Sequence, residues 1–135
     1  MTTLTSFTFG TQVEGTLSEV RPRVESALHA EGFGVLTEID VAATMQAKLG
    51  VELEPYVILG ACNPRLAYRA LEAQPSIGAL LPCNVVLREH GGATVVEAMD
   101  PVAGLGLVGD PAVGPIATEA QERLMRVIGA LEGAE

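Results

Sequence analysis

The chain has little positive charge. Its 135 residues include 8 Lys and Arg against 17 Asp and Glu, which gives a formal net charge of −9. Such a charge repels nucleic-acid phosphates and anionic lipid surfaces unless a local basic patch offsets it. The basic residues are scattered singly, and the closest pairs, Arg21/Arg23 and Arg123/Arg126, lie among acidic residues. We therefore expect no basic patch, and neither nucleic acid nor a membrane as a partner.

Long hydrophobic runs and targeting signals are also missing. No apolar run approaches the ~20 residues of a membrane span. Residues 1–10 lack the basic start and the continuous apolar core of a signal peptide. We therefore expect a cytoplasmic location. Disulfides are rare in that reducing compartment, so the two cysteines, Cys62 and Cys83, are expected to be free thiols.

Common catalytic and metal-binding patterns are absent as well. The sequence contains no catalytic Ser/His/Asp order, no H-E-x-x-H, no P-loop and no nucleophile elbow. Two thiols alone do not complete a tetrahedral zinc site, and His29 and His90 do not have a zinc-binding spacing relative to them. We therefore predict no metal site, and the sequence identifies no cofactor.

Residues 104–109 formally match the G-x-G-x-x-G pattern of dinucleotide-binding loops. Such a loop must open directly into a helix, whereas Asp110-Pro111 follows here. We predict a flexible glycine-rich connector. Its apolar side chains Leu105, Leu107 and Val108 are able to cover a pocket as a lid.

The chain does have enough apolar residues for a folded core. Hydrophobic residues make up 48% of it, and its mean hydropathy is +0.34, which excludes disorder. The length suits one domain, and no repeat, linker or shift in composition divides it. We predict a single domain over residues 1–135.

Hydrophobic periodicity alternates between strand-like and helix-like segments. Strands are predicted over residues 6–14, 33–40, 55–62, 83–89 and 93–99. Four helices are predicted. The first begins after Thr16, the second covers residues 41–49, the third runs from Asn63-Pro64 to Pro75, and the fourth follows the apolar stripe from Ile116 to Leu131. Thr16 and Glu19 form a capping box for the first helix, and Gly32 ends it. Pro22 leaves open whether that helix begins near Ser18 or bends.

This order of elements predicts an α+β fold. An antiparallel or mixed sheet packed against the first and last helices on one face would bury one side of every element. The Gly91-Gly92 turn predicts a hairpin between the last two strands. The spacing of Glu119 to Arg123 and of Glu122 to Arg126 predicts two ion pairs on the exposed face of the last helix.

The two cysteines occur in matching dipeptides, Cys62-Asn63 and Cys83-Asn84. The strand ending at Cys62 is expected to pair in antiparallel orientation with the strand beginning at Cys83, because consecutive strands commonly lie side by side. Two thiols and two carboxamides would then meet at one edge of the sheet. We predict a binding site for a small polar ligand formed by Cys62, Asn63, Cys83 and Asn84.

Other roles are compatible with the same residues. Cys62 precedes a helix whose dipole favours a thiolate, so Cys62 is able to act as a nucleophile with Cys83 resolving or assisting. Alternatively, both cysteines only pack in the core and Asn63 only caps a helix. In that case the chain is a structural or interaction domain.

Two segments, residues 59–64 (LGACNP) and 80–86 (LLPCNVV), resemble a bacterial family of small domains called domain of unknown function 302. The resemblance extends from Val13-Glu14 to the last helix. It implies a β-α-β(4)-α arrangement similar to that of the TATA-box-binding protein, with an extra helix here between strands 3 and 4. It also implies a homodimer. The activity of that family is uncharacterised, and a shared fold implies no DNA binding.

Overall fold

An antiparallel sheet is the frame of the protein in the computed structural model, which describes residues 2–3 and 5–132. Its strands are β1 (Thr2–Thr3), β2 (Thr8–Glu14), β3 (Gly34–Asp40), β4 (Tyr56–Cys62), β5 (Cys83–His90) and β6 (Ala93–Met99). Their order across the sheet is β1-β2-β6-β5-β4-β3, and all neighbours pair in antiparallel orientation. The predicted α+β fold is confirmed, with an antiparallel rather than a mixed sheet.

The helices of the described residues are α1 (Leu17–Ala30), α2 (Val41–Leu49), α3 (Pro64–Ala73), α4 (Pro101–Leu105) and α5 (Gly114–Glu132). Short 3-10 helices cover Pro75–Leu80 and Gly106–Val108. Helices α1 and α5 pack together on one face of the sheet. Helix α3 is the predicted extra helix. No described helix combines the length and the apolar character needed to cross a bilayer.

Helix α1 begins at Leu17 and continues through Pro22. The predicted capping box is confirmed: Thr16 Oγ1 accepts a hydrogen bond from the Glu19 N–H at 3.2 Å, and the Glu19 carboxylate accepts one from the Thr16 N–H at 2.9 Å. Val20 and Val24 are both fully buried, so core packing on either side of Pro22 compensates for the backbone hydrogen bond that proline removes.

The glycine-rich segment is more regular than its sequence predicts. The Asp100 carboxylate accepts a hydrogen bond from the Val102 N–H, and Pro101 occupies the first position of α4. Both residues favour a helix start, so a flexible connector was the wrong prediction here. Of the predicted lid residues, Leu105 is buried, whereas Leu107 is 80% exposed.

One of the two predicted ion pairs on α5 is present. Arg123 Nε donates to Glu119 Oε2 at 3.1 Å, as the spacing predicts. Arg126 Nε instead donates to Glu31 Oε1 at 2.9 Å, so the predicted pair with Glu122 is wrong. The reason is that packing of α1 against α5 brings the end of α1 within reach of Arg126, and spacing within one helix does not reveal this.

The hydrophobic core lies between the sheet and the pair formed by α1 and α5. Its largest fully buried side chains include Leu28, Leu59, Leu87, Leu124 and Ile128. A second, smaller cluster lies where α3, α4 and the start of α5 meet. It contains Leu66, Ala70, Ile77, Leu105, Val113, Ile116, Ala117 and Ala120.

The other face of the sheet, which we call the open face, includes three cross-strand rows that matter below. They are Ile39–Ile58–Val86–Glu97–Gly10, Tyr56–Arg88–Val95–Gln12 and Thr37–Gly60–Asn84. None of these residues belongs to the core cluster beneath α1 and α5. Ile39 is 49% exposed, and Ile58, Val86 and Val95 are half-buried.

Gly60 permits close packing at one point of the open face. A Cβ at this position would overlap Thr37 Oγ1 and lie 2.8 Å from Pro82 Cγ. We expect Gly60→Ala to lower the free energy of unfolding by about 1–3 kcal/mol, because an added methyl strains a filled space. Urea unfolding measures this.

Gly129→Ala is the matched control, since a Cβ there meets nothing within 4 Å. This change within helix α5 should raise stability by about 0.5–1 kcal/mol. An unaltered urea midpoint for Gly60→Ala would contradict the packing described here.

Candidate functional site

A small apolar cavity, which we call the thiol cavity, lies between the end of β4 and the start of β5. Its volume is about 30 Å³, enough for about one or two water molecules. Its lining residues are Phe33, Ala61, Cys62, Asn63, Leu66, Ala67, Ala70, Leu81, Pro82, Cys83, Leu105, Ile116 and Ala120. The two thiols and one carboxamide are therefore the polar side-chain groups in an otherwise apolar lining.

The two cysteines reach this cavity because β4 and β5 are antiparallel neighbours, as predicted. Ala61 pairs directly with Cys83, so the last residue of β4 lies beside the start of β5. Cys83 is buried and Cys62 is half-buried. No disulfide joins them.

The two asparagines are placed on different sides of the sheet. Asn63 caps α3: its Oδ1 accepts a hydrogen bond from the Leu66 N–H at 3.3 Å, and its Nδ2 donates to the Glu31 carbonyl at 3.4 Å. Asn84 is exposed on the open face, opposite Gly60. Successive strand residues point to opposite faces, so the burial of Cys83 directs Asn84 away from the cavity. Three of the four predicted site residues thus line the thiol cavity, and Asn84 does not.

Both thiols are stabilised in their protonated form. Burial raises the pKa of Cys62 above its usual range. Burial and, to a smaller extent, the neighbouring Cys62 raise the pKa of Cys83 to about 11. The predicted lowering of the Cys62 pKa by the helix dipole is therefore wrong. Partial removal of the thiol from water raises its pKa instead, and the Leu66 N–H of the first helical turn is occupied by Asn63.

A larger cleft, which we call the arginine cleft, opens beside the thiol cavity. Its volume is about 570 Å³. Asn63 and Leu66 line both spaces. The full lining of the cleft is Gly32, Asn63, Pro64, Arg65, Leu66, Arg69, Glu119 and Arg123. Three arginines and a single acidic residue therefore surround a space large enough for a small molecule.

This cleft overturns the expectation that the chain has no local basic patch. Arg65 and Arg69 are four residues apart and share a face of α3, a signal that the sequence contained. Arg123 comes from α5, and the sequence pattern does not show that α5 lies beside α3. The net negative charge of the whole chain gives no sign of this local cluster of arginines.

Ion pairs hold two of the three arginines. Arg69 Nη1 lies 3.5 Å from Glu119 Oε1, and Arg123 Nε lies 3.1 Å from Glu119 Oε2. Arg123 Nη1 also donates to the Glu31 carbonyl at 3.1 Å. Within residues 5–132, Arg65 has neither an ion pair nor a hydrogen bond to another side chain, and it is exposed.

Comparison with known proteins now identifies the family. The profile of the family described as Domain of unknown function DUF302 matches residues 9–131, a range that includes both spaces. The chain belongs to the DUF302 family. This confirms the resemblance found in the sequence.

The crystal structure of an uncharacterized conserved DUF302 protein from Bacillus stearothermophilus is similar to this domain, with a TM-score of 0.86. The two chains are 33% identical, and the match covers 94% of this chain and 99% of the other. No curated protein matches the chain. The DUF302 family thus accounts for the fold, whereas the chemistry of the site depends on the residues that line it.

Cys83 should make the stability of this DUF302 domain depend on pH. Its folded-state pKa of about 11 lies above the ordinary thiol value of ~8.5. The unfolded chain therefore loses this proton first as the pH rises. The stabilisation is complete below about pH 8.5 and is lost as the pH approaches 11. We expect the wild type to lose about 2–3 kcal/mol more than Cys83→Ala over this interval.

Urea unfolding of both proteins at several pH values measures the difference, and other titrating groups cancel in it. Cys62→Ala is the control. It should still lose most of the same stability as the pH rises, because burial is the main cause of the raised pKa of Cys83. Parallel pH profiles for the wild type and Cys83→Ala would contradict a buried protonated thiol.

Proposed function

We propose that this domain is a binding module for a small molecule that places an apolar group between the segments of Cys62 and Cys83. The observation that carries this proposal is the thiol cavity itself. Small-molecule sites are mostly apolar, with a few polar groups that fix orientation. The cavity has this composition, with Asn63 as its one carboxamide, and it adjoins an open cleft.

Ligand binding requires the thiol cavity to widen, since about 30 Å³ is smaller than any organic ligand. Leu105 is the part of the wall best suited to move. It ends α4, which has only five residues. The 3-10 helix Gly106–Val108 follows, and Gly109, with a φ of 70°, comes directly after that helix. Displacement of Leu105 would enlarge the cavity without disturbing the sheet. This is the role that the sequence predicted for a lid.

The raised thiol pKa values favour binding over thiol chemistry. A cysteine attacks as its thiolate, and the alternative function requires Cys62 to attack while Cys83 resolves the product. Burial raises the pKa of both thiols, which disfavours the reactive thiolate form of each. In the proposed function, both cysteines act as small, weakly polar wall groups.

A reducing compartment suits this site. Cys62 and Cys83 line one cavity without a bond between them. In an oxidising compartment two neighbouring thiols are open to oxidation. We therefore propose a cytoplasmic domain with reduced cysteines.

The proposed module is a homodimer formed through the open face. Ile39, Ile58 and Val86 lie side by side on three adjacent strands and form an apolar row. A second copy packed on this row would bury apolar area that the single chain leaves half-buried or exposed.

The charges on the open face also permit such packing. Arg88 Nε donates to Glu97 Oε1 at 2.8 Å, and Thr8 Oγ1 donates to Glu97 Oε2 at 3.1 Å. Because Arg88 and Glu97 already neutralise each other, a second copy that covers these two residues would not bury an unpaired charge there. The Arg88–Glu97 pair is therefore compatible with burial of this part of the open face by a second copy.

The binding proposal predicts that an uncharged apolar probe enters the thiol cavity. Addition of 1-hexanol should shift the methyl NMR signals of Leu66 and Ile116 in a saturable way. Ala67→Leu places extra volume in the cavity wall and should weaken binding by at least about tenfold. Titration followed by methyl NMR measures both effects.

Ala130→Leu is the matched control, because it adds the same volume at an exposed position of α5. Its affinity for 1-hexanol should equal that of the wild type. The absence of saturable shifts in the wild type, or full affinity in Ala67→Leu, would refute binding at the thiol cavity.

The dimer proposal predicts that Val86→Lys yields a monomer. The new ammonium group would have to be buried without a partner between the two apolar rows. Sedimentation equilibrium should give the mass of two 14.0-kDa chains for the wild type and of one for Val86→Lys. Leu107→Lys is the control, because Leu107 is 80% exposed outside the open face. A monomeric wild type at about 100 µM, well above a micromolar Kd, would argue against this interface.

A further inference from the structure

Positive charge in this acidic chain is concentrated at the arginine cleft. The chain has 8 basic residues in all and a net charge of −9, yet Arg65, Arg69 and Arg123 line one concave surface. Among the described residues that line it, Glu119 is the one acid. A cleft lined by an excess of one sign of charge raises the local concentration of ligands of opposite sign. The expected ligand group is therefore an anion.

Arg65 is the cleft arginine that is free to bind such a group. Glu119 contacts Arg69 and Arg123 and holds their side chains in place. Arg65 has no side-chain ion pair or hydrogen bond within residues 5–132. A guanidinium group presents its N–H donors as a planar fork that matches a carboxylate or a phosphate. The donors of Arg65 are available for two parallel hydrogen bonds to one oxyanion.

The floor of the cleft is kept open by Gly32. This residue has a φ of +84°, and a Cβ there would lie 3.0 Å from Asn63 Nδ2 and 3.9 Å from Arg123 Nη1. A side chain at position 32 would thus crowd the carboxamide and the guanidinium group that line the cleft. Glycine leaves both groups accessible to a ligand.

The arginine cleft is continuous with the thiol cavity at Asn63 and Leu66, which line both. We propose that the two spaces bind one amphiphilic small molecule, with an oxyanion head, a carboxylate or a phosphate, on Arg65 and Arg123 and a short apolar tail in the thiol cavity. The binding of the tail in the thiol cavity rests on the proposed function, whereas the binding of the head follows from the arginine cleft alone. Asn63 lies at the junction and contacts the ligand where head and tail meet.

Three six-carbon probes with different heads test this inference: 1-hexanol, hexanoate and hexyl phosphate. We expect both anions to bind at least about tenfold more tightly than 1-hexanol, because only they engage the guanidinium groups. Arg65→Gln should remove most of this advantage and leave the affinity for 1-hexanol unchanged. A rise from about 20 to 200 mM NaCl should weaken the two anions only. Isothermal titration calorimetry measures each affinity.

Lys48→Gln is the matched control, because it removes one positive charge from an exposed position of α2 outside both spaces. It should leave all three affinities as in the wild type. Equal affinities for the three probes, or an anion advantage that survives Arg65→Gln, would overturn the inference.

The same experiment separates this inference from the proposed function. If 1-hexanol binds and the anions bind no better, the arginine cleft fails while the thiol cavity stands. If the anions and inorganic phosphate bind in an Arg65-dependent way but Ala67→Leu has no effect, the cleft stands and the thiol cavity fails. If the hexyl anions and hexanol all fail to bind, both are refuted. The relative affinity of hexanoate and hexyl phosphate identifies the preferred head.

Discussion

The register between β4 and β5 is the constraint on which the site depends. Ala61 pairs directly with Cys83, which places Cys83 on the core face and the end of β4 beside it. The chain then turns into α3 at Asn63, so a thiol wall and a helix cap become neighbours. A shift of one residue would exchange the two faces of β5. Asn84 would enter the core and Cys83 would leave it.

Local signals in the sequence predicted most of the frame. The capping box at Thr16, the Asn63-Pro64 helix start and the Gly91-Gly92 turn each act over a few residues, and all three are present in the fold. The face of Asn84 was also readable, because Val85 and Leu87 follow Cys83 at alternate positions of an apolar stripe. The arginine cleft could not be predicted from the sequence, because it forms only when α3 and α5 lie side by side. The pKa of Cys62 depends on burial, which the position before a helix does not reveal.

The thiols illustrate why a residue type does not determine its chemistry. Cysteine before a helix is often reactive, yet here an apolar lining shields Cys62 in part and Cys83 almost fully from water, which favours the protonated form of both. The similarity to another DUF302 protein, at a TM-score of 0.86, shows that the two proteins share this frame. The chemistry of this chain therefore depends on the side chains that surround that frame.

Asn63 has a further consequence for selectivity. Its oxygen is committed to the first turn of α3, while its nitrogen donates one long hydrogen bond of 3.4 Å to the Glu31 carbonyl. A primary amide nitrogen carries two hydrogens, so a second one remains for an incoming molecule. A guest that offers lone pairs can take this hydrogen without cost to α3. In the proposed binding mode, a ligand that donates a hydrogen bond would share Asn63 Oδ1 with the Leu66 N–H, so the spare hydrogen on Nδ2 would favour ligands that present an acceptor at this point.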